Sequence, residues 1–554
     1  MFVSVIFNVE YMDITSRKMW YLKNLFHCKE NGGALVTHEY LYNHFEELQD
    51  SITDRFFDQF EMRRFAFEEI KDVEQYFVPD EIFDDLEQKY GSRTQFLIDL
   101  NDKPYPKLDK QLDIIFEQIK ERHPGEKIEG IFHCLEGYES LHRIAKKYDC
   151  PLINYSFAAF RKVHGYRQTL YQAGVNNYFW TAKESGQRYK KFLEEDHSDI
   201  PIFSNEEIIA MIGKEHTLPL IKLINNEPKY EMGICCECYS LLPQVYKNFA
   251  YTDDDIFYDC KRLFGSGKLK VRSHAAHLND IQVDRSEVHN DPASFILSCK
   301  RLTAVQSQIL LKVLLWKRTA VLKTDCLPFA YMCTKDFTAN QPAEIHALNY
   351  YIFGYLIPSN LMFSDDYWKW RLSNPTETKI YQRHLDFLFN ALGINKEKLM
   401  QLGGKDRFRY LLECRNCDEQ LIESLLSDKM ASNVCWDVAS SRFDVISEKG
   451  SMSYWRIDTE NEDGSLTTTL AVDVKDATSV NFFPLDDVTG FARLKSIIIN
   501  GESYDLAEDE KKFIYMPKNK GAYSLLVGAP YTGELKVKCT WVYKKVYDYL
   551  NSQK

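Results

Sequence analysis

The chain reads as an α/β protein of two Rossmann-like lobes, followed by a helical segment and a C-terminal β-sandwich. Three observations carry this expectation. Apolar strand-length runs alternate with amphipathic helical stretches over residues 1–200, and the pattern repeats over 201–345, as in parallel βαβ units. Residues 346–430 keep helical character, with an aromatic-rich amphipathic stretch after a proline. Over 431–554, short β runs separated by turns such as "NEDGS" and "NGES" take over, the pattern of a sandwich.

In the first lobe, "MFVSVIFNV" is an apolar strand, and residues 52–120 are charged, aromatic and largely helical. "IEGIFHC", "EGYESLHRIAKKYD" and "CPLINYS" then read strand, helix, strand, with Leu141, Ile144 and Ala145 on one helix face. "GVNNYFWTAKESGQRYKKFLEEDHSD" gives a turn, a short strand and a charged helix, and a linker follows over about 197–228. In the second lobe, "YEMGICCEC", "KLKVRSH", "RLTAV" and "RTAVL" are strands. "DDDIFYDCKRLF", "PASFILSC" and "SQILLKVLLW" are the helices between them. At the end, "MSYWRIDT", "LTTTLAVDV", "SVNFFPL", "RLKSIIING", "KKFIYMP", "YSLLVGAP" and "LKVKCTWVYK" read as seven strands.

The net charge of −12 sets the chain against general nucleic-acid binding, which needs a basic surface. The first residues lack a charged, apolar and cleavage pattern, and the apolar runs fall short of a membrane span. The expected location is cytoplasmic, with at most a peripheral contact at the inner membrane. The 14 cysteines read as reduced thiols. "CCEC" alternates faces along a strand and "CRNC" lacks a second pair, so no structural zinc is expected. There is no P-loop, GxGxxG, GxSxG or HExxH, and no DxD at a strand end. This weighs against an NTPase, a dinucleotide oxidoreductase, an α/β-hydrolase, a zinc protease and a metal-dependent sugar transferase.

Open parallel sheets collect ligands at the carboxyl ends of their strands. In the second lobe those ends carry Arg272 and His274, then Ser307 and Gln308 at a helix start, then Lys323 and Asp325. An arginine fork, an imidazole and a hydroxyl at a helix start suit phosphate oxygens. The plain alternatives are a surface ion pair, an N-cap and a turn. The first lobe offers His133, Glu136, Glu139, Ser156, Arg161 and His164. A carboxylate or imidazole there suits general-base work on a hydroxyl, although Glu136 and Glu139 equally suit a helix dipole.

"HCLEGYESLHRIAKKYDCPLINYSFAAFRKVHGYRQTLYQAGVN" resembles the first half of bacterial capsule and O-antigen glycosyltransferases of the Kdo-transferase-like GT-B group. The likeness falls on Arg161 and on Gly174, Val175 and Asn176. "KVRSHAAH" with "FILSCKRLTAVQSQILLKVLLWKRTAVL" resembles the second half, where a basic and histidine element precedes a Ser-led helix. A C-terminal β-sandwich also occurs in some O-antigen transferases.

The resemblance spans about residues 130–335 and implies a GT-B pair of lobes with a nucleotide-sugar donor in the cleft. The donor would be UDP- or CMP-linked, with no metal cofactor. Arg272, His274, Ser307, Gln308, Lys323 and Asp325 would hold it, with Glu136, Glu139 or His164 as catalytic base. His133, Ser156, Arg161 and Asn176 would face a lipid-linked or oligosaccharide acceptor of a surface polysaccharide, capsule or lipopolysaccharide. Two positions depart from the group: Ser156 and Phe157 stand where it has acidic residues, and Lys312 stands where its helix carries glutamate. A uridine-diphosphate hexose therefore fits as well as CMP-Kdo. The alternative is a non-catalytic glycan-binding or polysaccharide-assembly protein with a degenerate GT-B body. A homo-oligomer or an assembly complex at the membrane suits either.

Overall fold

β1 (Phe2–Ile6) is buried along its whole length, which requires a sheet covered on both faces. It lies between β2 (Ala34–His38) and β4 (Gly130–Cys134); β3 (Gln75–Val78) and β5 (Leu152–Phe157) extend the sheet, and all five run parallel. β6 (Leu170–Val175) returns antiparallel to β5. The helix Ile14–Asn31 covers one face, with Trp20, Leu22 and Leu25 in one apolar cluster with Phe132 and Tyr155. The helices Pro106–Arg122 and Glu139–Lys147 cover the other. Leu108, Leu112, Ile115 and Ile119 make the stripe that three-to-four spacing requires of a half-buried helix. The computed structural model describes the chain apart from residues 8–13, 55, 58–61, 91–92, 135–137, 161–168, 177–181, 237–250, 273–291, 432, 437–439, 486–488, 518–519 and 554.

The second sheet has four parallel strands: β7 (Tyr230–Cys235), β8 (Leu269–Arg272), β9 (Cys299–Thr303) and β10 (Thr319–Val321), in the order β10-β9-β7-β8. The helices Pro292–Leu297 and Ile309–Leu315 pack on one side, and Asp253–Phe264 on the other. These are the four strands that the sequence pattern predicts.

The segment 346–430 is not a free-standing unit. β11 (Ile357–Pro358) pairs with β6 and becomes the edge of the first sheet, whose order is β11-β6-β5-β4-β1-β2-β3. Trp368 lies edge-on to Phe132 at 5.7 Å, and Arg407 hydrogen-bonds Glu207 of the helix Asn205–Ile212. The segment therefore straps both lobes.

The C-terminal region is antiparallel, as predicted, but its strands form one hydrogen-bonded sheet of eight. They are β12 (Ser440–Ser447), β13 (Gly450–Ile457), β14 (Thr459–Glu460), β15 (Leu466–Phe483), β16 (Gly490–Ile499), β17 (Glu502–Ser503), β18 (Ile514–Met516) and β19 (Tyr523–Lys544). "LTTTLAVDV" and "SVNFFPL" are one strand, β15, and "YSLLVGAP" and "LKVKCTWVYK" are one strand, β19. The residues between them look like turns but are absorbed in bulges: Asp476 at φ 53° and Gly533 at φ 133° sit where the β15–β19 register shifts. Among the described residues no helix is long and apolar enough to cross a membrane.

Candidate functional site

The carboxyl end of the second sheet sets the geometry. Arg272 ends β8, an edge strand, at the level of Cys235 in β7, while Thr303 ends β9 one residue lower. Ser307, four residues past β9, follows the same end of the sheet that Arg272 ends, two strands across. Arg272 is half-buried, and its carbonyl accepts from Cys236 N–H at 2.9 Å.

Ser307 does not cap the following helix with its side chain. The cap position is Gln308, in αR conformation and without a side-chain cap bond, and the helix Ile309–Leu315 has only seven residues. The expected helix-start site thus reduces to side chains. The Ser307 hydroxyl makes no hydrogen bond among the described residues. Gln308 Nε2 donates to Gln172 Oε1 at 3.0 Å, while Gln308 Oε1 is buried without a hydrogen-bond partner among the described residues.

That contact joins the two lobes. Gln172 lies in β6, 1% exposed, directly opposite Ser156 in β5. Ser156 is the penultimate residue of its strand, so Gln172 stands at the carboxyl end of the first sheet's parallel part. The carboxyl ends of both sheets therefore meet at Gln172 and Gln308, with Ser156 on one side and Ser307 on the other. Sequence reasoning singled out Ser156, Ser307 and Gln308 and missed Gln172. One amide in the strand "LYQAGV" gives no signal until β6 is known to turn back against β5.

Most of the other expected residues are engaged in contacts of their own. Lys323 places its ammonium 4.3 Å from the Phe337 ring centroid. Asp325 is an exposed surface carboxylate, 3.1 Å from Lys335, and its carbonyl accepts from Ala182 N–H at 3.4 Å. His133 is wholly buried inside β4, its Nδ1–H donating to the Val5 carbonyl at 2.8 Å and its ring 5.0 Å from Tyr138. It offers no surface to an acceptor, because Phe7, Tyr138 and the Val5 carbonyl enclose its ring. Asn176 adopts the left-handed conformation at φ 56°. Its N–H donates to the Leu152 carbonyl at 2.8 Å and its Oδ1 accepts from Leu152 N–H at 2.9 Å. It clips the far end of the β5–β6 pair rather than facing a ligand. Glu139 opens its helix half-buried, and burial, reinforced by Asp109, pushes its carboxyl up. Glu136, Arg161, His164 and His274 lie outside the described residues.

The chain matches no protein-family model and no curated protein. The solved structures similar to it include three that share parts of its fold at a low level. The beta Kdo 2,4 transferase of Thermosulfurimonas dismutans KpsC is 10% identical over 40% of this chain and 78% of that one, with a TM-score of 0.26. The beta Kdo 2,7 transferase of the same KpsC is 9% identical over 45% of this chain and 86% of that one, at 0.29. A UDP-N-acetylglucosamine 2-epimerase is 11% identical over 72% of this chain and 97% of that one, at 0.24. Likenesses of this size carry no weight for activity.

Proposed function

We propose that the chain is a glycosyltransferase that moves a sugar from a UDP- or CMP-linked donor to a bacterial surface polysaccharide, of O-antigen or capsule type. The observation that supports this reading is the Gln172–Gln308 contact. It brings the carboxyl ends of two parallel sheets together, and such ends are where α/β folds bind nucleotides and sugars. Arg272 supplies a guanidinium fork for the donor phosphates, and the Ser307 hydroxyl a further hydrogen bond. These groups stabilise the charge that builds on the departing nucleotide as the bond from sugar carbon to phosphate oxygen breaks. The acceptor hydroxyl forms the new bond to that carbon and gives its proton to a base. Glu139, with its raised carboxyl, is the described residue that fits that task. His274 joins the phosphate set, and Glu136 and His164 the base set, in the same reading. The acceptor, lipid-linked or oligosaccharide, comes in over the first lobe at Ser156 and Arg161. The protein works at the cytoplasmic face of the inner membrane as a peripheral enzyme.

A nucleotide panel tests the reading by thermal unfolding in EDTA. UDP or CMP raises the melting point because a ligand held only by the folded state stabilises it. If none of the nucleoside mono- and diphosphates moves the transition, the reading fails.

A further inference from the structure

Away from the strand tips, a buried polar cluster forms where helices from both lobes converge. Its centre is Arg188, 8% exposed, on the helix Ala182–Glu194. Arg188 Nε donates to Glu377 Oε1 at 3.0 Å and Nη2 to Oε2 at 3.0 Å, and Tyr350 O–H donates to the same Oε2 at 2.7 Å. Glu377 is thereby committed. Arg371, only 14% exposed in its side chain, comes no nearer to Glu377 than 3.9 Å and makes no hydrogen bond among the described residues.

Two guanidinium groups, Arg188 and Arg371, face two carboxylates, Glu377 and Glu184. Of these, Glu184 accepts from Val175 N–H, its Oε2 is buried without a hydrogen-bond partner among the described residues, and burial pushes its carboxyl up. A largely buried guanidinium that makes no hydrogen bond to the protein leaves donors for an acceptor. Beside it stand two more unsatisfied groups. The hydroxyls of Tyr331 and Tyr355 are buried without hydrogen-bond partners among the described residues, both within electrostatic reach of Arg188. The Arg188 guanidinium lies 4.9 Å from the Tyr355 ring centroid. Tyr355 ends a π-helix, Tyr350–Tyr355, a widened turn that recurs at functional sites.

We propose that this cluster binds a small oxyanion, a phosphate or carboxylate group, between Arg371 and the uncommitted Nη1 of Arg188, with hydrogen bonds from the hydroxyls of Tyr331 and Tyr355. Guanidinium forks with hydroxyl donors are the set that coordinates such groups. The Arg188 helix touches both lobes, through Glu184 to Val175 of β6 and through the Ser185 hydroxyl to the Pro328 carbonyl beyond β10. An anion here stiffens the joint between them. The site is separate from Arg272, Ser307 and Gln308 and does not depend on the nucleotide reading.

Thermal unfolding of the full chain tests it, at fixed pH and ionic strength with chloride as the background. Inorganic phosphate and acetate are titrated separately, which distinguishes a phosphate site from a carboxylate site. The melting point rises and saturates with one of them. Tyr355→Phe keeps the ring, leaves the anion-free melting point unchanged or higher, and weakens the apparent anion affinity roughly fivefold. Arg371→Met abolishes the response. Arg272→Ala leaves the response intact. The proposal is overturned if neither anion gives a saturable rise over chloride, if Tyr355→Phe and Arg371→Met respond as the natural chain does, or if Arg272→Ala abolishes the response.

Discussion

Asp458 is fully buried in the C-terminal sheet, and burial pushes its carboxyl up to about 8 against hydrogen bonds from Thr468 and Ser441. The hydrogen inventory agrees. Ser441 Oγ lies 2.9 Å from both Asp458 oxygens and 3.1 Å from the Pro484 carbonyl, but it has one proton. A protonated Asp458 donates to Ser441, which then donates to Pro484. Thr468 donates to Asp458 while accepting Trp541 Nε1–H at 3.1 Å, so every group is satisfied. The folded chain thus keeps a proton that the unfolded chain releases above about 3.8. The stability that this group contributes is full below that pH and is lost as pH rises through about 8. His384 works in the opposite sense. Burial, aided by Arg188 and Arg371, holds it down to about 3 from an ordinary 6.5, so its contribution is full above 6.5 and is lost as pH falls through about 3. Between 3.8 and 6.5 the two slopes oppose, and between 6.5 and 8 only Asp458 of this pair contributes a slope. Denaturant titrations should therefore show stability falling over that upper window by up to about 1.4 kcal/mol per pH unit. Asp458→Asn mimics the protonated form and should flatten that fall; a fall of unchanged slope would refute the assignment.

Among the elements, β7 shows how tightly the second lobe is built. A Cβ at Gly233 would lie 2.9 Å from both Cys299 Sγ and Leu302 Cγ and 3.2 Å from Phe295 Cζ. Gly233→Ala should therefore destabilise the chain by about 1–3 kcal/mol of overpacking, read as a lower urea midpoint with the slope kept. The parallel strands were legible in the sequence because strands covered on both faces are continuous apolar runs, as in "FVSVI" and "GIFHC". The long C-terminal strands were not, since Asp476 and Gly533 signal a turn and a bulge alike, and only the partner strand decides between them. At the site, alternation along a strand marked neither Gln172 nor the burial of His133. Both depend on which strand lies alongside and where it stops. Glu184 and Arg188 are four apart on a charged helix and look like a solvated face; burial follows from the strap 346–430 folding over them.

At the scale of the whole molecule, the account depends on two lobes meeting at their strand ends. The Gln172–Gln308 bond is the direct link there. Gln308→Leu leaves a buried amide unpaired and should cost about 1–3 kcal/mol, whereas changing both glutamines to leucine should recover much of that loss. Additive losses in urea titrations of the single and double variants would mean that the two side chains do not interact. The acidic chain, at net charge −12, needs a local cation to hold a nucleotide, and among the described residues Arg272 ends a strand of the second sheet. The most direct measurement is calorimetric titration of UDP and of CMP, in EDTA, into the natural chain and into Arg272→Ala. One nucleotide is expected to bind the natural chain without metal, and the variant to lose about 1.5–3 kcal/mol of that affinity, the worth of a hydrogen-bonded phosphate contact. Undetectable binding of both nucleotides, or an affinity unchanged by the substitution, would contradict it.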